Sequence, residues 1–147
     1  MTITRRQLIA NSIGIASALG TSKLFATPEE VAAAMDVIAG DTEIVIGGIT
    51  LKLPEIAENG NIVPVSVSVE SPMTPDSHVE TVTIFAEENP HATIVTFNLT
   101  PSNGEAFVST RMRLATTQNV ISVARMSDGS VISDTKHVKV TIGGCGG

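Results

Sequence analysis

The chain has 147 residues, which suits a single domain with a sizeable core. It is acidic, with a net charge of −6. All 15 Asp and Glu follow residue 26, so without residues 1–26 only six Lys and Arg oppose them and the net charge is −9. This charge argues against a nucleic-acid-binding surface, and the single Cys excludes an internal disulfide.

Residues 1–26 have the layout of an export signal. Arg5 and Arg6 form a basic start, residues 8–19 are mostly apolar, and no acidic residue lies before residue 27. The apolar stretch is shorter than the about 20 residues that span a bilayer, so we expect no membrane span in the mature protein. The paired arginines predict a twin-arginine-type signal peptide over 1–26, cleavage after Ala26 and a periplasmic location.

The mature domain begins with helix signals. Thr27 is a suitable N-cap, Pro28 suits the first helical position, and Glu30 can complete a capping box. Gly40 is a helix stop. The predicted helix has an apolar stripe at helical spacing, formed by Val31, Ala34, Met35 and Ile38.

After the helix the apolar pattern changes to a period of two, which predicts strands. In residues 62–69 four valines alternate with polar residues, and Pro64 within this run predicts an edge strand or a bulge. The last strand is predicted to point Val138, Val140 and Ile142 inward. The remaining predicted strands lie at residues 49–53, 78–86, 93–99, 106–114 and 120–126.

About seven strands, separated by turn signals such as Glu88-Asn89-Pro90 and Ser127-Asp128-Gly129, predict a mainly β fold. We expect an immunoglobulin-like antiparallel β-sandwich over residues 27–142, with a short N-terminal helix and a flexible C-terminal arm at residues 143–147.

The predicted arm carries the cysteine. Gly143, Gly144, Gly146 and Gly147 surround Cys145, so the segment is thin and free in its backbone. Fully extended, it would reach roughly 15–18 Å and could enter a narrow cleft on another protein. A thiolate is a strong nucleophile and a good leaving group, so Cys145 is suited to covalent attachment of a carried group. A carrier needs no general base of its own. We therefore predict that the protein is not an enzyme and that it uses neither a cofactor nor a metal.

Three parts of the sequence resemble the SoxY family, the sulfur carriers of bacterial thiosulfate oxidation. They are residues 140–147, residues 54–60 with the following 63–65, and residues 126–129; the twin-arginine start agrees with them. The resemblance implies that Cys145 carries sulfur intermediates while thiosulfate is oxidised to sulfate. It also implies a heterodimer with a SoxZ-like subunit, and three partner enzymes: a haem-containing conjugating enzyme, a sulfate-releasing hydrolase and a sulfane-oxidising enzyme.

Two other functions remain open at this stage. A terminal Gly146-Gly147 could form a thiocarboxylate, as in ubiquitin-like sulfur carriers, although an export signal argues against that ATP-coupled class. An exported sandwich could also be a structural or adhesion module that dimerises through Cys145.

Several other polar residues are expected to lie on the surface or at a turn rather than in a functional site. The three histidines have no metal-site spacing and are expected on the surface: His78, His91 and His137. Arg111 and Arg113 are expected on a solvated strand face. Glu55 and Glu58 are expected to flank a turn rather than to form an acid–base pair.

Overall fold

The computed structural model describes residues 25–143, which form one α-helix, a short 3₁₀-helix at Pro101–Asn103 and nine strands. The helix α1 spans Pro28–Ala39. The strands are β1 (Ile44–Ile46), β2 (Ile49–Lys52), β3 (Ile56–Ala57), β4 (Val63–Val69), β5 (Val79–Ala86), β6 (Thr93–Asn98), β7 (Phe107–Met112), β8 (Gln118–Met126) and β9 (Val131–Val140). The predicted mainly β class with one short N-terminal helix is confirmed.

Helix α1 begins and ends where the sequence predicts. The Thr27 hydroxyl accepts a hydrogen bond from the Glu30 N–H at 3.4 Å, and the Glu30 carboxylate accepts one from the Thr27 N–H at 3.1 Å. This reciprocal pair satisfies N–H groups that have no partner within the helix. At the other end, the N–H of Gly40 donates to the Asp36 carbonyl at 2.8 Å.

Two sheets form the sandwich. The larger has the order β1-β9-β8-β5-β6, with β3 also paired to β9, and the smaller has the order β2-β4-β7. Gly47 and Gly48, both with positive φ (117° and 72°), connect β1 in the larger sheet to β2 in the smaller one. Glycine adopts these angles readily, so the chain can turn sharply and change sheets there.

The main core lies between the sheets and is almost entirely aliphatic. Val63, Val65, Val67 and Val69 all point into it from β4, as the alternating pattern predicts. A second, smaller core lies between α1 and the outer face of the larger sheet. It contains Val31, Ala39, Phe85, Ile121, Val123 and Val131.

The strand prediction needs correction at three places. β1 and β3 were missed, and both pair with β9 in parallel, so the sandwich is not wholly antiparallel. They have three and two residues, too few to show a period of two. Ile142 was predicted to point inward, but β9 ends at Val140 and the Ile142 side chain is exposed.

Pro64 lies in the central strand of the smaller sheet rather than in an edge strand, and its register with Arg111 of β7 shows no bulge. β2 pairs only with residues from Ser66 onward, so β4 has a single neighbour at Pro64. The missing N–H of proline is tolerated because the sheet is only two strands wide at this point.

Candidate functional site

The predicted carrier residue Cys145 lies outside the described residues, as do Gly144, Gly146 and Gly147. The structure does describe the segment from which they continue, Val140–Gly143, which we call the base. Cys145 is two residues beyond Gly143, so covalent geometry keeps their Cα atoms within about 7 Å of each other. The surroundings of the base therefore define where Cys145 can be presented.

One side of the base is fixed by β3 and the loop that follows it. The Thr141 N–H donates to the Ala57 carbonyl at 3.1 Å, and the Thr141 hydroxyl donates to the Glu58 carbonyl at 2.9 Å. The Gly60 N–H donates to the Ile142 carbonyl at 2.8 Å. Ordered hydrogen bonding thus continues two residues past the end of β9. Residues 54–60, which carry part of the sequence resemblance, form this side.

The other side of the base is fixed by the loop of residues 113–118. The Val140 N–H donates to the Thr117 hydroxyl at 3.0 Å, and that hydroxyl donates to the Val140 carbonyl at 3.4 Å. Gly143 lies so close to the Ala115 carbonyl that a Cβ atom at position 143 would collide with it. Glycine is therefore required at 143 for a close backbone approach, a role that the sequence analysis did not assign to it.

A buried polar pair holds the 113–118 loop. Asn89 and Gln118 are 5% and 2% exposed. The Asn89 amide donates to the Arg113 carbonyl at 2.7 Å, and its oxygen accepts from the Ala115 N–H and the Gln118 amide, both at 2.9 Å. Gln118 in turn accepts from the Glu88 N–H at 2.8 Å. Because buried amides are costly when unpaired, this network fixes the loop strongly.

The N-terminal end of the described residues also contacts Asn89, which holds the 113–118 loop. Ala26 is buried, and its N–H donates to the Asn89 carbonyl at 2.6 Å. Asn89 therefore contacts Ala26 through its backbone and Ala115 through its side chain, and Ala115 touches Gly143. The residue at the predicted cleavage position and the base of the predicted arm lie on the same side of the domain.

The remaining candidates are distributed over several elements of the fold. Arg111 and Arg113 are both exposed on β7 or just after it, as expected. Glu55 and Glu58 flank the short strand β3 rather than a simple turn. His78 and His137 contact the Thr74 carbonyl and the Asn119 side chain, at 3.1 Å and 3.0 Å.

Residues 25–143 contain no group of three His, Cys, Asp or Glu side chains that could hold a metal ion. None of the helices in this part of the chain is long and apolar enough to cross a membrane.

Sequence comparison identifies the family. The family model described as "Sulfur oxidation protein SoxY" matches residues 34–145. The chain belongs to the SoxY family. The matched range includes the base and Cys145. A comparison with curated proteins gives no significant match.

Solved structures agree with this assignment. The sulfur carrier protein SoxY from Chlorobium limicola f thiosulfatophilum is 32% identical, with a TM-score of 0.62 over 78% of this chain and 98% of that one. A superoxide reductase (neelaredoxin) from Ignicoccus hospitalis has a TM-score of 0.57 at 16% identity, over 82% of this chain and 98% of that one. At that identity the second likeness shows only a shared sandwich fold. The resemblance to the SoxY family inferred from the sequence is confirmed.

Proposed function

We propose that this SoxY-family protein carries sulfur intermediates covalently on the Cys145 thiol during the oxidation of thiosulfate to sulfate. The observation that carries the proposal is the position of Cys145 in the family match, directly beyond a base that the fold holds in place. The solved relative from Chlorobium, described as a sulfur carrier protein, supports the same role. The thiol supplies the chemistry, because a thiolate both attacks and leaves readily.

Loading Cys145 with thiosulfate is an oxidation. The thiol sulfur bonds to the outer sulfur of thiosulfate, and one proton and two electrons leave, so an electron-accepting enzyme must take part. Hydrolysis of the resulting thiosulfonate adds water, releases sulfate with a proton, and leaves a persulfide on Cys145. Later enzymes oxidise or remove the remaining sulfur and free the thiol. We assign these steps to a haem-containing conjugating enzyme, a sulfate-releasing hydrolase and a sulfane-oxidising enzyme.

The fold contributes presentation rather than chemistry in this proposal. Hydrogen bonds with Ala57, Glu58, Gly60 and Thr117 fix the base on both sides. Residues 143–147 then act as the arm that delivers Cys145 to one partner after another. We further propose a SoxZ-like partner subunit in a heterodimer, residues 1–26 as a twin-arginine-type signal, and a periplasmic location.

The test is the intact mass of the protein purified without reductant from cells that oxidise thiosulfate. We expect adducts that contain sulfur, map to Cys145 and disappear on reduction. Cys145→Ser should lose every adduct and all thiosulfate-dependent function while keeping the melting temperature of the wild type. A fully functional Ser variant would refute the carrier proposal. A sulfur mass shift on Gly147 would point instead to a thiocarboxylate carrier, and a working disulfide dimer to a structural module.

A further inference from the structure

The peptide bond between Ala26 and Thr27 is held on both sides by the folded domain. On one side, Ala26 is buried and its N–H donates to the Asn89 carbonyl at 2.6 Å. On the other side, the Thr27 N–H, which belongs to the bond itself, donates to the Glu30 carboxylate at 3.1 Å. The Thr27 carbonyl accepts from the N–H groups of Glu30 and Val31 at 3.0 Å and 3.1 Å. Export cleavage after Ala26 would therefore cut a bond that is part of the folded structure.

A protease reaches such a bond only when the chain around it opens. Cleavage inside a folded region is limited by the fraction of molecules in which that region is open. Opening here breaks the hydrogen bond between Ala26 and Asn89, exposes the Ala26 side chain and undoes the capping box of α1. Because the proposed twin-arginine route delivers a domain that is already folded, the protease that removes the signal meets this bond in its closed state.

The sequence contains a better cleavage site upstream. Export signals are cut after a motif with small residues at its first and third positions, which Ala16 and Ala18 supply. The site that ends at Ala26 does not fit this motif, because Leu24 holds its first position. A cut after Ala18 leaves residues 8–15 as the apolar part of the signal, and eight residues fall within the usual range of about 7–15.

We infer that the export signal is cut after Ala18 and that the mature protein keeps residues 19–26 at its N-terminus. Hydrolysis of the Ala18–Leu19 bond consumes one water and leaves a carboxyl group on Ala18 and an amino group on Leu19. The inference rests on the export signal proposed above and replaces the predicted cleavage after Ala26. The proposed carrier chemistry of Cys145 does not depend on it.

Keeping Ala26 also keeps a contact of the residue that holds the 113–118 loop. The Asn89 backbone accepts from Ala26, while the Asn89 side chain makes the hydrogen bonds to the loop. A mature chain that began at Thr27 would leave the Asn89 carbonyl without this donor and would open the space that Ala26 fills. Ala26 is therefore part of the folded domain rather than the last residue of a discarded signal.

The test is the intact mass of the exported protein, expressed from its full 147-residue sequence and measured before and after reduction. We expect the mass of a chain that begins at Leu19. A chain that begins at Thr27, or at any other residue, would overturn the inference. Adducts on Cys145 are scored in the same spectra, so the carrier proposal is tested whatever the first residue is. A wild type that stays full-length in the cytoplasm would refute the export signal, and the inference with it.

Two variants separate the competing cleavage sites. Ala18→Leu replaces the small residue directly before the inferred cut, whereas Leu24→Lys places a long charged side chain at the first position of the site that ends at Ala26. We expect Ala18→Leu to accumulate as the full-length precursor and Leu24→Lys to be processed like the wild type. Normal processing of Ala18→Leu, or failed processing of Leu24→Lys, would contradict the inference.

A second measurement needs no processing. Purified chains that begin at Leu19, Phe25 and Thr27 are compared by thermal unfolding. We expect the first two to melt together and the chain from Thr27 to melt about 3–6 °C lower, because it alone lacks the hydrogen bond and the burial of Ala26. Equal melting temperatures for all three chains would show that the fold does not hold Ala26, and the inference would lose its structural basis.

Discussion

The two ends of β9 are held in different ways. At its start, the β8–β9 turn is closed by residues next to each other in sequence: Asp128 accepts from the Ser130 N–H at 2.8 Å and from the Ser130 hydroxyl at 2.6 Å. At its finish, the base is held by groups from distant parts of the chain, such as Ala57, Gly60 and Thr117. The turn at the first end reverses the chain, whereas the second end leads to Cys145, the proposed carrier residue.

This difference shows what each end is built to do. A turn needs only hydrogen bonds among its own residues, because its task is to reverse the chain between two strands. In the proposed function the chain must leave the domain at one fixed place, and contacts from several elements hold its end there. The finish of β9 should therefore depend on residues far from it in sequence. The first residues of β9 pair with β1, but the Asp128–Ser130 turn before them should keep its hydrogen bonds without distant partners.

The largest expected effect comes from removing Asn89. Asn89→Ala removes the buried hydrogen bond from the Gln118 amide and the part-buried ones at the Ala115 N–H and the Arg113 carbonyl. We expect a loss of about 3 kcal/mol in the free energy of unfolding, since each unpaired buried group costs about 1–3 kcal/mol. Denaturant unfolding measures the loss. Hydrogen exchange should show faster exchange at the Ala115 and Gly60 amides and unchanged protection at Ser130.

Asn119→Ala is the matched control. Asn119 is only partly buried, and its amide donates to the Glu87 carboxylate at 2.8 Å. Because water can replace that partner, we expect a loss below about 1 kcal/mol. Equal losses for the two variants, or equally faster exchange at both ends of β9, would break the contrast drawn between them.

Sequence patterns predicted the start of β9 better than its finish. The Ser127-Asp128-Gly129 signal indicated a turn, and the structure has one there, with Gly129 at φ 86°. At the finish, the pattern predicted that Ile142 continues inward, because alternation carries no information on where pairing stops. The capping box of α1 and the inward valines of β4 were predicted correctly for the same reason as the turn. Each depends on a pattern among residues that lie close together in sequence.

The contacts that hold the finish of β9 were not predicted, because the residues that make them lie far apart in sequence. Asn89 belongs to a run, Glu88-Asn89-Pro90, that reads as an ordinary exposed turn. Its burial depends on Gln118, 29 positions away, and on Ala26. Nor does sequence spacing show that Gly143 must approach Ala115. The carrier chemistry of Cys145, by contrast, was inferred from the residue type and its glycine neighbours, and it stays a prediction.

A smaller effect is expected at Gly143. Gly143→Ala places a Cβ atom against the Ala115 carbonyl, and backbone cannot move aside as a side chain can. We expect a loss of about 1–2 kcal/mol and faster hydrogen exchange at the Gly60 amide, which donates to Ile142. Gly129→Ala is the control: it has open space but a φ of 86°, so it costs about 1 kcal/mol through backbone strain alone. Gly143→Ala with unchanged exchange at Gly60 would show that the base tolerates movement.

The smallest effect concerns charge at the start of β9. Hydrogen bonds from the Ser130 hydroxyl and N–H lower the pKa of Asp128 below its ordinary value of 3.8. Because the folded-state pKa is the lower one, ionised Asp128 favours the folded state above pH 3.8, and this contribution is lost as the pH falls through the folded-state pKa. Asp128→Asn should therefore melt slightly below the wild type at neutral pH, and the gap should close on acidification to about pH 2. A gap that persists in acid would mean that the side-chain geometry of Asp128, rather than its charge, stabilises the turn.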